Sequence, residues 1–581
     1  MKIYQTFAEL TGSTQTKTGT EFKVTERANA VYVLQPSSYT ALAGDATFAN
    51  SRVAALQIDG DYNIEKFGAV VATNSTTAIK DAITRAGGNP ITGKGSFWID
   101  EELLFSTQGS GIVGVGGILD VFNLSLTETT IRFSPANPEL GDSLAKCVLR
   151  NVSMGRRTGS SGVIALKLHS VAQFECDWLQ GLQSHTAIEI KGISSSNFSN
   201  LYIFAGNGIS YLANSSLITY SGYPLAAGGY TPAYTTNIIN IIASGNFVCD
   251  HIFDIDAADG LQISSGYLGS PFVSHFNLEP VAGQGVGSIF VSACYMDGIN
   301  SITGSISGVT IPVHVGDYVN SITFSCCKFG NFQGDAISIL GAVTLFELNG
   351  TALRTFSGDG LSVAANGATT VSVQGGDIGY GVNAALIDNI KTFSMIGTQI
   401  QNCTTGVNLN DTAKATIDNL TFDLVTTELD ITNVPVLSGG ACVSDVNGII
   451  DVNAGTFTPT IRINFVTTGI TASLQQGSYV KNGNMVTFNA KVILTSKGVG
   501  AGDVTMQDLP FQIKNFSAFN VNLNNVTAGL GDFNITGRSA AEASKAINLF
   551  YINPAGAQVT IDEADITDTS EFVISGTYIA V

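Results

Sequence analysis

Between Ile337 and Ile431 inward-type hydrophobic residues recur in pairs two apart: Ile337/Ile339, Leu361/Val363, Ala385/Ile387, Val407/Leu409 and Leu429/Ile431. Successive pairs are separated by 24, 24, 22 and 22 residues. A second column, Phe329, Leu353, Ile378, Ile400 and Phe422, runs seven or eight residues ahead of the first. Alternation with a period of two is the signature of a strand, whose successive side chains face opposite sides. A fixed repeat of 22–25 residues without helical spacing predicts a solenoid, each coil contributing several short strands. Leucine-rich repeats share this period, but their consensus Leu and Asn positions are absent. The fold expected is all-β, a parallel β-helix.

Carried towards the N-terminus, the second column continues through Met296, Leu268, Ile242, Ile203, Leu179 and Met154. The step from Ile203 to Ile242 is 39 residues long and leaves room for a loop rich in Tyr, Gly and Pro, Tyr220 to Tyr234. Long loops on a rigid scaffold tend to carry function or meet a neighbour. Three regions result. Residues 1–58 are polar with short β-like pieces such as Ala30–Leu34, residues 59–435 carry the β-helix, and 436–581 lose the period. The last region has longer alternating strands, such as Met485 to Val492, and reads as a β-sandwich. Near 75–86, Ile79, Ala82 and Ile83 have i, i+3, i+4 spacing, with Ser75 or Asn74 ahead as a cap and Gly87-Gly88 behind. A short helix there would plug the end of the solenoid, which otherwise exposes apolar side chains and strand edges.

Composition agrees with many-turned β-coils: 64 glycines, 13% charged residues and 44% hydrophobic residues in 581. A net charge of −19 argues against nucleic-acid and anionic-lipid partners, which need basic surfaces. No run of apolar residues is long enough to span a bilayer, and no apolar run follows Lys2, so neither membrane insertion nor a signal peptide is expected. The eight cysteines lack metal spacing; Cys294 and Cys327 occupy equivalent places, which suggests stacked thiols. The five histidines, at 169, 185, 251, 275 and 314, show no metal spacing either, and no cofactor is expected.

Several motifs together resemble phage tailspikes and capsule depolymerases with a pectin-lyase-like, right-handed parallel β-helix. They are Phe67-Gly68-Ala69, the segment from Thr76 to Ile83, the lead-in from Asn50 to Gly60, and Ile112-Val113-Gly114-Val115-Gly116. At the other end, Gly455 to Pro459 and Gly477 to Gly483 resemble the opening of the C-terminal sandwich of such spikes. The resemblance spans nearly the whole chain, although Val70-Val71-Ala72 stands where such spikes usually carry Gly-Asp-Gly. It implies a homotrimer attached to the phage tail or baseplate through residues 1–58, with 436–581 serving trimerisation or glycan binding. It also implies a virion protein made in the host cytoplasm that binds or cleaves bacterial surface polysaccharide, either O-antigen or capsule.

Candidate chemistry lies on the outward positions. The residues before the second-column anchors include Trp178, Tyr202, Ile241, Tyr267 and Tyr295, four aromatics in five places. Coils stack at about 4.8 Å, so these rings would form a ladder for sugar faces, or a seam buried by a neighbour. In the first column Phe253, Ile255, Phe276 and Leu278 point in, so Asp254, Asp256, Asn277 and Glu279 point out, with Asp256 and Glu279 on adjacent rungs. Paired carboxylates suit glycoside hydrolysis, one protonating the leaving oxygen, the other acting as nucleophile or activating water. Asp297 is a further member of the cluster, and Glu175 with Asp177 beside Trp178 is an alternative pair. Asp259, Asp335 and Asp359 read as turn residues. Gly109 to Gly114 matches a dinucleotide-type glycine pattern but lacks its βαβ frame, and Gly141-Asp142-Ser143-Leu144 lacks the later Asp-x-x-His of its esterase class. Lyase chemistry, with Lys328 or His251 as the base, and a purely binding role remain open readings.

Overall fold

The computed structural model describes residues 1–125, 129–156, 164–182, 186–204, 216–231, 233–244, 249–269, 271–298, 307–313, 318–364, 369–432, 434, 436–445, 448–451, 454–482, 484–515, 517–527, 535–541 and 544–580. The chain is nearly all β and divides into two compact units. The larger holds residues 1–391, 398–410 and 424–431; the smaller holds 392–397, 411–423 and 432–581.

The larger unit opens with a five-stranded sheet in the order Lys2–Tyr4, Glu21–Val24, Ala30–Leu34, Val53–Leu56, Ala46–Thr47. Only its first pair is parallel. Phe22, Val24, Tyr32, Leu34 and Ala54 are fully buried, so the polar lead-in has a core of its own. A 3-10 turn, Ile64–Phe67, follows and ends on Gly68 at φ 100°, the left-handed region that disfavours a β-carbon. A β-carbon on Gly68 would also meet the Arg27 guanidinium at 2.9 Å, which explains the glycine of Phe67-Gly68-Ala69. The helix is Thr76–Ala86; Ile79, Ala82 and Ala86 are buried, and Asn74 Oδ1 accepts from the Thr76 N–H.

The coils form a parallel β-solenoid. One coil runs His251–Ile255 in a first sheet, then Asp259–Gly269, which bends at Ser265 and so supplies a second and a third sheet. The next coil repeats the path one rung on, pairing Phe253 with Phe276, Ile263 with Val291 and Leu268 with Met296. The rings of Phe253 and Phe276 stack at 5.0 Å and 4°. The bend is itself a column: Asn151, Trp178, Asn200, Asn240, Ser265, Ala293 and Cys326 all have φ between 51° and 60°. Asn tolerates this conformation and its amide can bond the next rung, as Asn240 Nδ2 does to Asn200 Oδ1 at 2.7 Å.

The expected first column holds in register: Ile337, Leu361, Ala385 and Val407 align, as do Ile339, Val363, Ile387 and Leu409. At Leu429/Ile431 it weakens, both being half-buried while Glu428 is buried. The second column holds from Leu268 through Met296, Phe329, Leu353 and Ile378 to Ile400. Further back it needs correction. Met154 pairs with Gly181, Gly181 with Ile203, and Ile203 with Ala243. Leu179 belongs to the other inward position of that sheet, paired with Val152 and Leu201, and Ile242 faces out between buried Ile241 and Ala243. The third sheet has two inward positions per strand; where one is Gly181 or Ala243, the nearest large hydrophobic residue misleads. Cys294 and Cys327 do stack on adjacent rungs, both buried and free. The Tyr220–Tyr234 loop contains an antiparallel hairpin, Tyr223–Pro224 with Tyr230–Thr231.

In the smaller unit parallel pairing runs on past residue 435. Lys414–Asp418 pairs with Val436–Gly439, and Thr421 with Val443, before an antiparallel turn to Gly448–Asp451. A ten-stranded antiparallel sheet follows and fits the sandwich expected. Its centre is Met485–Lys497 between Ile470–Asn482 and Ile566–Ile579, over a core of Phe488, Phe519, Phe572 and Ile574.

Candidate functional site

The outer face of the first sheet gathers the polar chemistry. Alternation buries Phe253, Ile255, Phe276 and Leu278 at no more than 1% exposure, which turns the intervening residues outward. Strand pairing then lines up one outward column, Lys167, Glu189, Thr219, Asp254, Asn277 and Thr310. A second column carries His169, Lys191 and Ser221. Asp256 stands one residue beyond the Tyr220–Ile255 pair, and Glu279 one beyond the Ile255–Leu278 pair. Their backbones follow the rungs, Asp256 N–H donating to Tyr220 O at 3.0 Å and Glu279 N–H to Ile255 O at 3.3 Å. Asp254, Asp256 and Glu279 therefore share one patch, two columns wide.

Their surroundings differ. Both oxygens of Asp254 accept hydrogen bonds, from Asn277 Nδ2 at 2.9 Å and Ser216 Oγ at 3.3 Å. Asn277 is itself held by Thr310 Oγ1 at 3.1 Å. Asp256 is half-buried and, among the described residues, no donor serves its carboxyl. Burial and the neighbouring charges of Asp254 and Glu279 push it up to about 6, with the Lys191 charge opposing. Glu279 is exposed.

Residues that sequence reasoning did not join to this patch also lie there. His251 starts the same strand, its Nδ1 2.8 Å from Ser274 Oγ; burial lowers its proton affinity against the pull of Asp254, Asp250 and Glu279. Two rungs away, Glu189 sits between His169 Nε2 at 2.6 Å and Lys191 Nζ at 3.1 Å. Burial would raise the Glu189 carboxyl, but the His169 hydrogen bond and the Lys191 charge outweigh it and hold it at about 2. The Tyr223 ring lies 5.4 Å from that of His169, and Ala226 N–H donates to Glu139 O, so the hairpin folds back beside these rungs. Lys191 was legible in principle, since the inward alternation of buried Ile188 and Ile190 turns Glu189 and Lys191 outward. His185 and His314 lie outside the described residues.

Asp297 is not brought to the carboxylate patch. It ends the third-sheet strand Gly285–Asp297, accepting from Tyr267 Oη at 3.2 Å and from Asn331 Nδ2 at 2.8 Å. Burial and Asp297 push the Tyr267 hydroxyl up to about 12. The aromatic ladder also needs correction. In register, the outward third-sheet residues are Ser153, Gln180, Tyr202, Ile242, Tyr267, Tyr295 and Lys328. Trp178 instead occupies the left-handed bend at φ 57°, though its ring still lies 6.1 Å from that of Tyr202. Tyr267 and Tyr295 are adjacent, edge to face at 5.7 Å, with Lys328 Nζ 5.0 Å from the Tyr295 ring.

Each member of the alternative pair already has a partner on one oxygen. Glu175 is bonded by Arg150, and Asp177 accepts from Ser199 Oγ at 2.8 Å and Asn200 Nδ2 at 2.9 Å. Those hydrogen bonds, from Asn200 and Ser199, outweigh burial and, with the Arg150 charge, lower the Asp177 carboxyl.

No family model and no curated protein matches this sequence. Among solved structures the chain is similar to the Dettilon tailspike protein, at 12% identity and a TM-score of 0.47, covering 88% of this chain and 93% of that one. It is also similar to the gp42 tailspike of Acinetobacter phage vb_AbaP_AS12, at 11% identity and TM-score 0.46, covering 97% and 93%. A third is the gp49 tailspike of Acinetobacter baumannii bacteriophage Fri1, a capsular polysaccharide depolymerase, at 10% identity and TM-score 0.43, covering 100% and 98%.

Proposed function

We propose that this protein is a phage tailspike that recognises and cleaves a bacterial surface polysaccharide by hydrolysis, with Asp256 and Glu279 as the working pair. The observation that carries the reading is the contrast within one patch. Asp256 lacks donors and is pushed up to about 6, while Glu279 faces solvent on the next rung. A carboxyl that keeps its proton near neutral pH is what a general acid needs. Asp256 passes that proton to the glycosidic oxygen as the bond to the anomeric carbon breaks. Glu279 then either attacks that carbon directly or takes a proton from the water that does. Asp254, fixed by Asn277 and Ser216, is a positioning residue whose charge adds to burial in raising the Asp256 carboxyl. Trimerisation, attachment through residues 1–58 and a binding role for Tyr202, Tyr267, Tyr295 and Trp178 belong to the same reading.

The test is incubation of the purified chain with surface polysaccharides from a panel of bacteria, followed by mass spectrometry. Glu279→Gln should abolish product and leave glycan binding intact. Binding without fragments from any glycan would support instead a receptor-recognition spike. One observation favours a lyase as second reading: burial keeps His251 neutral beside the carboxylates, available as a base. Fragments lighter by one water would establish it.

A further inference from the structure

Next to Asp256, where the first sheet turns into the second, lies a pocket of about 180 Å³ that the carboxylate chemistry does not use. Its walls are Tyr230 from the hairpin, Tyr234, Tyr318, Asp259 and Gln284. Its floor is nearly bare. Ala257 and Gly285 occupy successive rungs, since Ala258 bridges Val286, and the next rung brings Tyr318 opposite Gly285. Gly285 is half-exposed between buried Gln284 and Val286, Gly283 is exposed in the turn just before the strand, and Gly287 is buried. The missing side chains are what admits the walls. A β-carbon on Gly285 would meet the Tyr318 ring at 2.8 Å and one on Gly287 would collide with Asp259, whereas one on Gly283 would only touch the Tyr230 ring at 3.5 Å. Gln284 Oε1 is taken by the Gly222 N–H at 2.8 Å, so the group it offers a ligand is its Nε2 donor.

We infer that this pocket is a subsite for one uncharged pyranose unit of the polysaccharide, adjoining the bond that Asp256 protonates. The tyrosine faces suit the C–H faces of a sugar ring, and their hydroxyls, Asp259 and the Gln284 amide suit its hydroxyl groups. No cation is among the lining residues, so a uronate carboxylate would meet Asp259 with no lining charge to pair it. Tyr234 and Tyr318 are 47% and 51% exposed, which leaves their rings free for a ligand and makes their truncation harmless to the core. The inference rests on the proposed function only in placing the subsite beside the cleaved bond.

Saturation-transfer NMR on the full chain tests it, with methyl glycosides of neutral hexoses and of glucuronic acid as probes. At least one neutral glycoside should receive magnetisation and the glucuronoside none. Tyr234→Ala and Tyr318→Ala should each weaken the neutral probe about 5- to 10-fold, while Asp256→Asn leaves it within about twofold. Absence of any neutral binder, equal binding of the glucuronoside, or binding unchanged in both tyrosine variants would overturn the subsite. Polysaccharide cleavage separates the two claims. Asp256-dependent cleavage whose KM ignores both tyrosine variants sinks the subsite alone. Cleavage that survives Asp256→Asn, with the neutral probe lost in the tyrosine variants, sinks the acid assignment alone.

Discussion

Replacing Asp254 by Asn should move the pH profile of cleavage in a predictable direction. Asp254 and Asp256 are two residues apart on one face, so their β-carbons lie about 7 Å apart. At that separation two unit charges interact by roughly 0.6–1.2 kcal/mol for an effective dielectric constant of 80–40, fitting a half-buried group. That corresponds to about 0.4–0.9 pH unit. Asp256 must be protonated to act as the acid, so kcat/KM falls as pH rises through its pKa, near 6 in the parent. Asp254→Asn removes a charge that raises this pKa and should draw the alkaline limb down by that amount. The amide can still accept from Asn277 and donate to Ser216. Lys191→Met removes the opposing positive charge and should shift the limb upward. The assay is the initial rate of oligosaccharide release at low substrate from about pH 4.5 to 8. An alkaline limb that stays put, or moves the same way in both variants, would refute the assignment.

Other consequences are open to measurement. His275 is fully buried and burial holds it at about 4, so between about 6.5 and 4 the unfolded chain binds a proton the folded chain refuses. Stability contributed by its neutrality is therefore complete above pH 6.5 and falls as pH drops, by up to about 3 kcal/mol. His275→Phe should lose less thermal stability than the parent between pH 7 and 4.5; an equal loss contradicts the account. Gly68→Ala forces a β-carbon at φ 100° against Arg27 and should destabilise by about 1–2 kcal/mol, read as a lowered melting temperature. Asp297→Asn should leave the rate of polysaccharide cleavage within a few-fold, because Asp297 serves Tyr267 and Asn331 rather than the patch. A loss comparable to that of Asp256→Asn would relocate the site.

What the sequence disclosed follows from where a side chain's direction is over-determined. From Ile337 to Leu409 large residues two apart recur at a fixed interval, and the strands pair in that register. Phe253 and Phe276 likewise fix the phase of their coils, which is why Asp256 and Glu279 could be put on adjacent rungs from sequence. The phase is lost at the left-handed bend. There Leu179 and Ile242 were natural choices, yet Gly181 and Ala243 hold the aligned positions. Trp178 was drawn into the sugar ladder because nothing in the sequence distinguishes it from an outward strand residue; its positive φ does. The parallel pairing past residue 435 left no periodic signal because Val436–Gly439 and Ala441–Ser444 are short and rich in small residues. The tyrosine pocket was not legible at all, since its walls come from segments some 90 residues apart and its floor is defined by missing side chains.

The central claim is that Asp256 donates a proton in a hydrolytic cleavage. It is tested most directly by digesting a susceptible polysaccharide in heavy-oxygen water with the parent and with Asp256→Asn, then weighing the fragments. The account predicts fragments of whole repeat-unit mass carrying one heavy oxygen from the parent, and rates lower by about a hundredfold or more from Asp256→Asn. Fragments lacking one water, or an Asp256→Asn chain that cleaves as fast as the parent, would contradict it.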